Sequence, residues 1–99
     1  MGHQSGFLTG DLATLALGSL VLSPTFDPEV YGYTTNSTNV SDTLSYTTVD
    51  TGATVVTKLN GTSFTGSTVT WTANTDTLTL EVTSGHITKT YTITCTHTP

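Results

Sequence analysis

From residue 34 onward, apolar and polar residues alternate with a period of two. Val69, Trp71 and Ala73 fall on one parity, with Thr68, Thr70 and Thr72 on the other. Leu78, Leu80 and Val82 oppose Thr77, Thr79, Glu81 and Thr83 in the same way. Ile87, Tyr91, Ile93 and Cys95 alternate with Thr88, Thr90, Thr92, Thr94 and Thr96. Side chains of a strand point to opposite faces in turn, whereas a helix repeats about every 3.6 residues. The pattern therefore demands strands with one dry and one wet face, the habit of antiparallel sheets. Lys89 sits on the dry parity near a strand start, where its stem can follow apolar surface and lift the ammonium into water.

Turn signals cut this pattern at short intervals. Asn60-Gly61 is a type I′ hairpin signal between residues 54–59 and 62–65. Ser84-Gly85-His86 joins the last two strands, and Asn74-Thr75-Asp76 separates the two before them. Asp50-Thr51-Gly52 closes a strand centred on Leu44 and Tyr46. Pro24 and Pro28 break the early chain, because proline donates nothing to a ladder. Residues 11–18 read in two ways. Asp11 as N-cap, Leu12, Leu15 and Ala16 at helical spacing and a terminal Gly18 would make a helix. The alternation of Leu15 and Leu17, continued by Leu20 and Leu22, makes a strand, which is the preferred reading. The expected fold is all-β, an antiparallel two-sheet β-sandwich of about seven strands. Residues 1–10 form a polar N-terminal leader or arm, and residues 11–99 a single domain.

Composition narrows the partners. Threonine supplies 27 of the 99 residues, a β-branched filler suited to wet strand faces. Two lysines, no arginine and seven carboxylates leave a net charge of −5. Two cations cannot neutralise a run of phosphates, so nucleic acid is excluded as a partner. No polybasic patch is present for an anionic membrane, and no apolar run approaches the roughly 20 residues that span one. Residues 1–6 lack the basic and apolar regions of a secretory signal. Cys95 is the only cysteine, so no disulfide closes within the chain, and a buried, inert thiol is expected.

The chemistry-bearing residues do not converge. His3 lies in the leader, His86 in a hairpin turn and His97 at the far end of the next strand. At about 3.3 Å per residue the last two stand about 35 Å apart. Cys95 and His97 share a parity, but zinc wants three or four ligands. No nucleophile elbow, phosphate loop or dinucleotide fingerprint occurs. The carboxylates look scattered over turns and wet faces. The expectation is a chain that is not an enzyme, with no cofactor and no metal. Tyr33, Tyr46, Trp71 and Tyr91 lie on apolar parities and should form an aromatic centre. Tyr31 and Phe7 do not, which makes Tyr31 a weak candidate contact for a glycan. Threonine rows also suggest an ice-binding face, but sandwich sheets twist and no fixed repeat is present.

Leu15-x-Leu17, then Leu22-Ser23-Pro24-Thr25-Phe26-Asp27-Pro28, then Tyr33 resembles the start of cadherin-like β-sandwich domains of bacterial surface proteins. Residues 53–61 resemble the hairpin of that family, and residues 85–94 its closing strand. Asn74-Thr75-Asp76 departs from the family's Gly-x-Asn, and His97 replaces a terminal basic residue. The resemblance implies a sandwich in which Pro24 and Pro28 stiffen a crossover between the sheets and Phe26 plugs the end of the core. It also implies a place outside the cell. The paired acidic motifs of calcium-binding cadherins are absent, and Asp27-Pro28-Glu29 reads as a turn.

The expected function is a non-enzymatic structural or interaction module. First comes a small decoration or accessory subunit on the exterior of a virion, a phage capsid or tail. The alternatives are a spacer or adhesion domain of a bacterial cell-surface protein and a carbohydrate-binding module. Its partners are protein neighbours, a further copy of itself among the candidates. The leader residues His3, Gln4, Phe7 and Leu8 are the expected partner contacts.

Overall fold

The structure, a computed structural model, describes residues 10–97. Its strands are β1 (Leu12–Leu17), β2 (Gly32–Ser37), β3 (Ser41–Thr48), β4 (Thr54–Leu59), β5 (Thr62–Ser63), β6 (Thr68–Thr70), β7 (Thr75–Ser84) and β8 (Ile87–His97). They build two sheets packed together, ordered β1-β3-β6 and β2-β8-β7-β4-β5. Within residues 11–18, Leu12–Leu17 is thus strand and not helix. The reason is tertiary: the alternation of Leu15 and Leu17 buries both against the facing sheet, which no helical stripe could do beside β3.

The period-two pattern sets the layers. On β7, Leu78, Leu80 and Val82 point inward, and on β8, Tyr91, Ile93 and Cys95 do the same, all fully buried. They meet Leu12, Leu15, Leu17, Leu44 and Val69 from the smaller sheet, and Trp71 just beyond β6. Burying one such side chain is worth roughly 1.5–3 kcal/mol. Outward, the β7–β8 register sets Thr83 opposite Thr88, Thr79 opposite Thr92, Thr77 opposite Thr94 and Thr75 opposite Thr96. The hydroxyls of Thr83 and Thr88 lie 3.0 Å apart. Threonine therefore covers the wet face in cross-strand pairs, each worth a few tenths of a kcal/mol to about 1 kcal/mol.

Two hairpins follow their turn residues. Asn60 and Gly61 take φ of 54° and 86°, the paired positive values of a type I′ turn, and bring Leu59 opposite Thr62. Gly85, with φ 61°, opens the two-residue turn that sets Ser84 opposite Ile87. The crossover over residues 18–31 is tied down by its own motif. The Tyr33 hydroxyl donates to the Asp27 carbonyl at 2.7 Å and accepts from the Asp27 amide at 2.9 Å. Phe26 closes over the core, its ring centre 5.9 Å from that of Tyr33 and 6.3 Å from that of Tyr91.

Several expectations are corrected. The larger sheet is not wholly antiparallel, since β2 runs parallel to β8 from Gly32 opposite Thr92 to Ser37 opposite His97. The crossover delivers β2 from the other sheet already pointing along β8, which no hairpin could do. Tyr46 is 36 % exposed and stands outside the aromatic centre. β6 pairs only with Ser41, Asp42 and Thr43, so β3 has no outer neighbour where Tyr46 sits. Ile87 is 39 % exposed because it lies at the hairpin end, beyond the level at which β1 begins. Ala73 is exposed as well, because β6 stops at Thr70 and the chain turns through residues 71–74. Thr75 and Asp76 thus belong to β7 and not to the turn.

Candidate functional site

The polar groups come first, because a site needs groups that the fold does not consume. Asp42 and Asp76 are buried, although the carboxylates as a group read as scattered over turns and wet faces. Asp42 Oδ2 accepts from the Ser37 hydroxyl at 2.6 Å and from Trp71 Nε1 at 2.8 Å, and its Oδ1 accepts from Asn39 Nδ2 at 2.8 Å. Burial alone would raise its pKa, but these donors outweigh burial and hold it below the usual carboxylate value. Asp76 Oδ1 accepts from Asn60 Nδ2 at 2.7 Å and from the Thr72 hydroxyl at 3.0 Å. Its Oδ2 takes the amides of Thr72 and Ala73 at 3.0 and 3.2 Å. Here too the donors overcome burial and lower the pKa. The two aspartates pin the Trp71 turn from both sides.

The other charges are spent locally. Asp50 accepts from the Ser84 hydroxyl and, at 2.9 Å, from the Gly52 amide, which holds its pKa down. Asp27 Oδ1 accepts from the Glu29 amide at 2.8 Å, so the one close acidic pair is a turn. Lys58 pairs with Glu81 at 3.2 Å and Lys89 with Asp11 at 2.8 Å. The Asp11 carboxylate raises the Lys89 pKa. The Tyr91 hydroxyl donates to the Pro28 carbonyl at 2.6 Å and accepts from the Leu12 amide at 3.0 Å. Burial, chiefly, pushes its pKa up to about 12.

His86 lies in the β7–β8 turn and His97 at the other end of β8. Among the described residues, no three His, Cys, Asp or Glu side chains are placed to hold a metal ion. Cys95 is a free thiol, fully buried, and burial raises its pKa, with Asp42 and Asp76 adding to the effect. No helix among the described residues is long and apolar enough to cross a membrane.

What remains are surfaces. Tyr31 is half-buried, its ring centre 5.0 Å from that of Tyr91 and 5.8 Å from Lys89 Nζ. Packing thus takes much of the face that a sugar would need, leaving a shallow cleft shared with Lys89 and Thr90. A larger cleft of about 440 Å³ opens between the β4–β5 hairpin and β6. Leu59, Phe64 and Val69 are its apolar lining residues, and Thr62, Thr68, Thr70 and Thr72 line it as well. Trp71 N donates to Val40 O at 3.1 Å and Leu44 N to Ser67 O at 2.7 Å. By alternation, the N–H and C=O of Thr68 and Thr70 then point away from β3, toward the open edge. Such an uncharged lining suits a neutral ligand. No sequence signal marked this cleft, because it arises where the edges of the two sheets diverge.

A second surface is apolar. Val21, 82 % exposed, stands with Leu20, Leu22 and Phe26 beside Leu15 and Ala16 of β1. The leader residues His3, Gln4, Phe7 and Leu8 lie outside the described residues. Comparison with protein-family models and with curated proteins finds no match, so the chain's own chemistry has to carry the functional reading.

Proposed function

We propose that the chain is a non-enzymatic structural module of an extracellular assembly, a small decoration or accessory subunit on the exterior of a phage capsid or tail. The observation that supports this is where the reactive groups go. Asp42, Asp50 and Asp76 tie turns and strands together, both lysines are paired, and the thiol is buried. A catalytic site would instead need such groups converging, poorly satisfied, on an open cavity. A surface of paired, uncharged threonines suits a module exposed to outside fluid. The cadherin-like type of sandwich belongs to the same reading, carried by the Pro-Thr-Phe-Asp-Pro crossover and the bond from Tyr33 to Asp27.

A second reading, a spacer or adhesion domain within a bacterial cell-surface protein, is favoured by the chain path. Gly10 lies against Val82 and Lys89 at one end of β8, and His97 at the other. A domain that the chain enters at one end and leaves at the other fits into a row.

The test uses the leader and the size of the native chain. Deleting residues 1–8 should weaken attachment to purified particles while circular dichroism still shows a folded sheet protein. An antibody should find the native chain with the particles at 10 kDa. Unchanged occupancy after deletion refutes the leader as the attachment point. A much larger band in the cell envelope refutes the subunit and leaves the spacer.

A further inference from the structure

Four asparagines occur in the chain, and Asn60 alone is followed by glycine. Asparagine is among the thermolabile residues, because the next backbone nitrogen can attack its side-chain carbonyl carbon. Glycine is the most permissive successor, having no side chain to shield that nitrogen or to restrict its backbone. Here the pair forms the tip of the β4–β5 hairpin. Both residues are exposed, and nothing lies within 4 Å of a Cβ built on Gly61. Water and both reacting atoms therefore meet at one open turn.

The fold restrains this chemistry. Asn60 Nδ2 donates to Asp76 Oδ1 at 2.7 Å and to Thr72 Oγ1 at 3.2 Å, and Asn60 Oδ1 accepts from the Thr77 amide at 2.9 Å. The carboxamide is thus drawn across to β7 and the Trp71 turn. Ring closure onto Gly61 rotates it away and breaks all three bonds. Asp76 is itself fully buried, and its Oδ2 takes the amides of Thr72 and Ala73. One side chain, Asn60, therefore joins the hairpin tip to β7 and to the turn that follows Trp71.

We propose that Asn60-Gly61 is a self-modification site, a deamidation switch that the Asp76 clamp holds shut and whose product opens the clamp. The Gly61 nitrogen bonds to Asn60 Cγ as the Cγ–Nδ2 bond breaks, and Nδ2 leaves as ammonia with the proton that Gly61 gives up. Water then opens the five-membered imide, its hydroxyl staying on the carbonyl carbon and its other hydrogen returning to nitrogen. Opening at Cγ leaves aspartate at position 60. Opening at the main-chain carbonyl leaves isoaspartate, whose backbone runs through Cβ and Cγ. Neither product carries the amide that Asp76 needs. Aspartate instead brings a second carboxylate to hydrogen-bond distance of the first, and two such groups do not both stay ionised. Lys58, two residues earlier, already pairs with Glu81. Isoaspartate lengthens the main chain in a tight turn that sets Leu59 opposite Thr62. Either product loosens the hairpin from the Trp71 turn, and with it one wall of the cleft beside β6. Loss of ammonia makes the change one-way. Its rate follows local opening of the hairpin tip, not unfolding of the whole domain.

The full chain, incubated warm at neutral pH and then digested, tests this by mass spectrometry of each asparagine. Asn36, Asn39 and Asn74 serve as internal references. Asn60 should convert first, at least about tenfold more slowly in the folded chain than in the urea-unfolded one, since each of three hydrogen bonds resists opening. Thr72→Val removes the hydroxyl bonded to Asn60 and Asp76 and should speed conversion several-fold. Val82→Ala, in the core toward the other end of β7, should leave the rate unchanged although it lowers stability. Asn60→Asp, made directly, should lower the folded-to-unfolded ratio at neutral pH by at least about tenfold. It should also shift the emission of Trp71, the only tryptophan. If that variant does not fold, the aged native chain supplies the same two readings from its converted fraction. Equal rates in folded and unfolded chain overturn the proposal. So does equal acceleration by Thr72→Val and Val82→Ala, which places the reaction in global unfolding. A converted chain as stable as the native one, with unchanged Trp71 emission, removes the switch.

Discussion

Replacing Asp42 by alanine probes the buried polar tie that sequence alone did not reveal. The side chain accepts three hydrogen bonds, from Ser37, Trp71 and Asn39. Ser37 is 2 % and Trp71 6 % exposed, so neither donor finds water when the carboxylate is removed. A buried donor left without a partner costs about 1–3 kcal/mol. Asn39 is exposed and turns to solvent, so it adds little. Two stranded donors then cost about 2–6 kcal/mol in all, a large share of the total stability of a domain this size. Asp42→Asn keeps an oxygen for Ser37 and Trp71. It sets its own amide against that of Asn39, which is free to rotate, so the loss falls to about 1 kcal/mol. Urea unfolding followed by far-UV circular dichroism reads both variants. With a denaturant slope of about 1–3 kcal/mol/M, the alanine variant should move the midpoint by about 1 M or more.

The pH dependence has a fixed sign. Asp42 titrates lower in the folded chain than in the unfolded one. Its stabilisation is therefore complete above the unfolded carboxylate pKa of about 3.9 and is lost as the pH falls through the lower folded value. The gap between the native chain and Asp42→Asn should narrow over that acid range. An alanine variant within about 0.5 kcal/mol of the native chain would refute the reasoning, because surface substitutions behave that way. Asparagine as costly as alanine would show that charge, and not the number of accepted bonds, matters here.

Three further predictions come from two glycines and the thiol. Gly61→Ala should cost about 1 kcal/mol in urea unfolding, because φ of 86° strains any side chain although nothing lies within 4 Å. Gly32→Ala, equally open but without positive φ, should be neutral or stabilising by up to about 1 kcal/mol. Cys95 should resist a thiol reagent such as dithionitrobenzoate in the native chain and react only as the protein unfolds. Fast labelling of the folded chain would contradict its burial and its raised pKa.

Sequence by itself determined what depends on neighbours a few residues away. Period-two alternation put Leu78, Leu80, Val82, Tyr91 and Ile93 inside and the threonines of the same strands outside, because a strand has only two faces. Asn60-Gly61 fixed a hairpin, since few residue pairs tolerate two positive φ values in succession. Parity failed where burial depends on what lies across or beside the strand. Tyr46 has core parity but lies where β6 no longer flanks β3, and Ile87 lies at the hairpin end. Asp42 and Asp76 share the parity of Leu44 and Leu78, and what the sequence does not show is that Trp71 and Asn60, distant in sequence, supply donors that let a carboxylate stay inside. The parallel pairing of β2 with β8 and the cleft beside β6 were also decided only by the tertiary structure. Each depends on how the two sheets are stacked and joined, and no local pattern of residues encodes that.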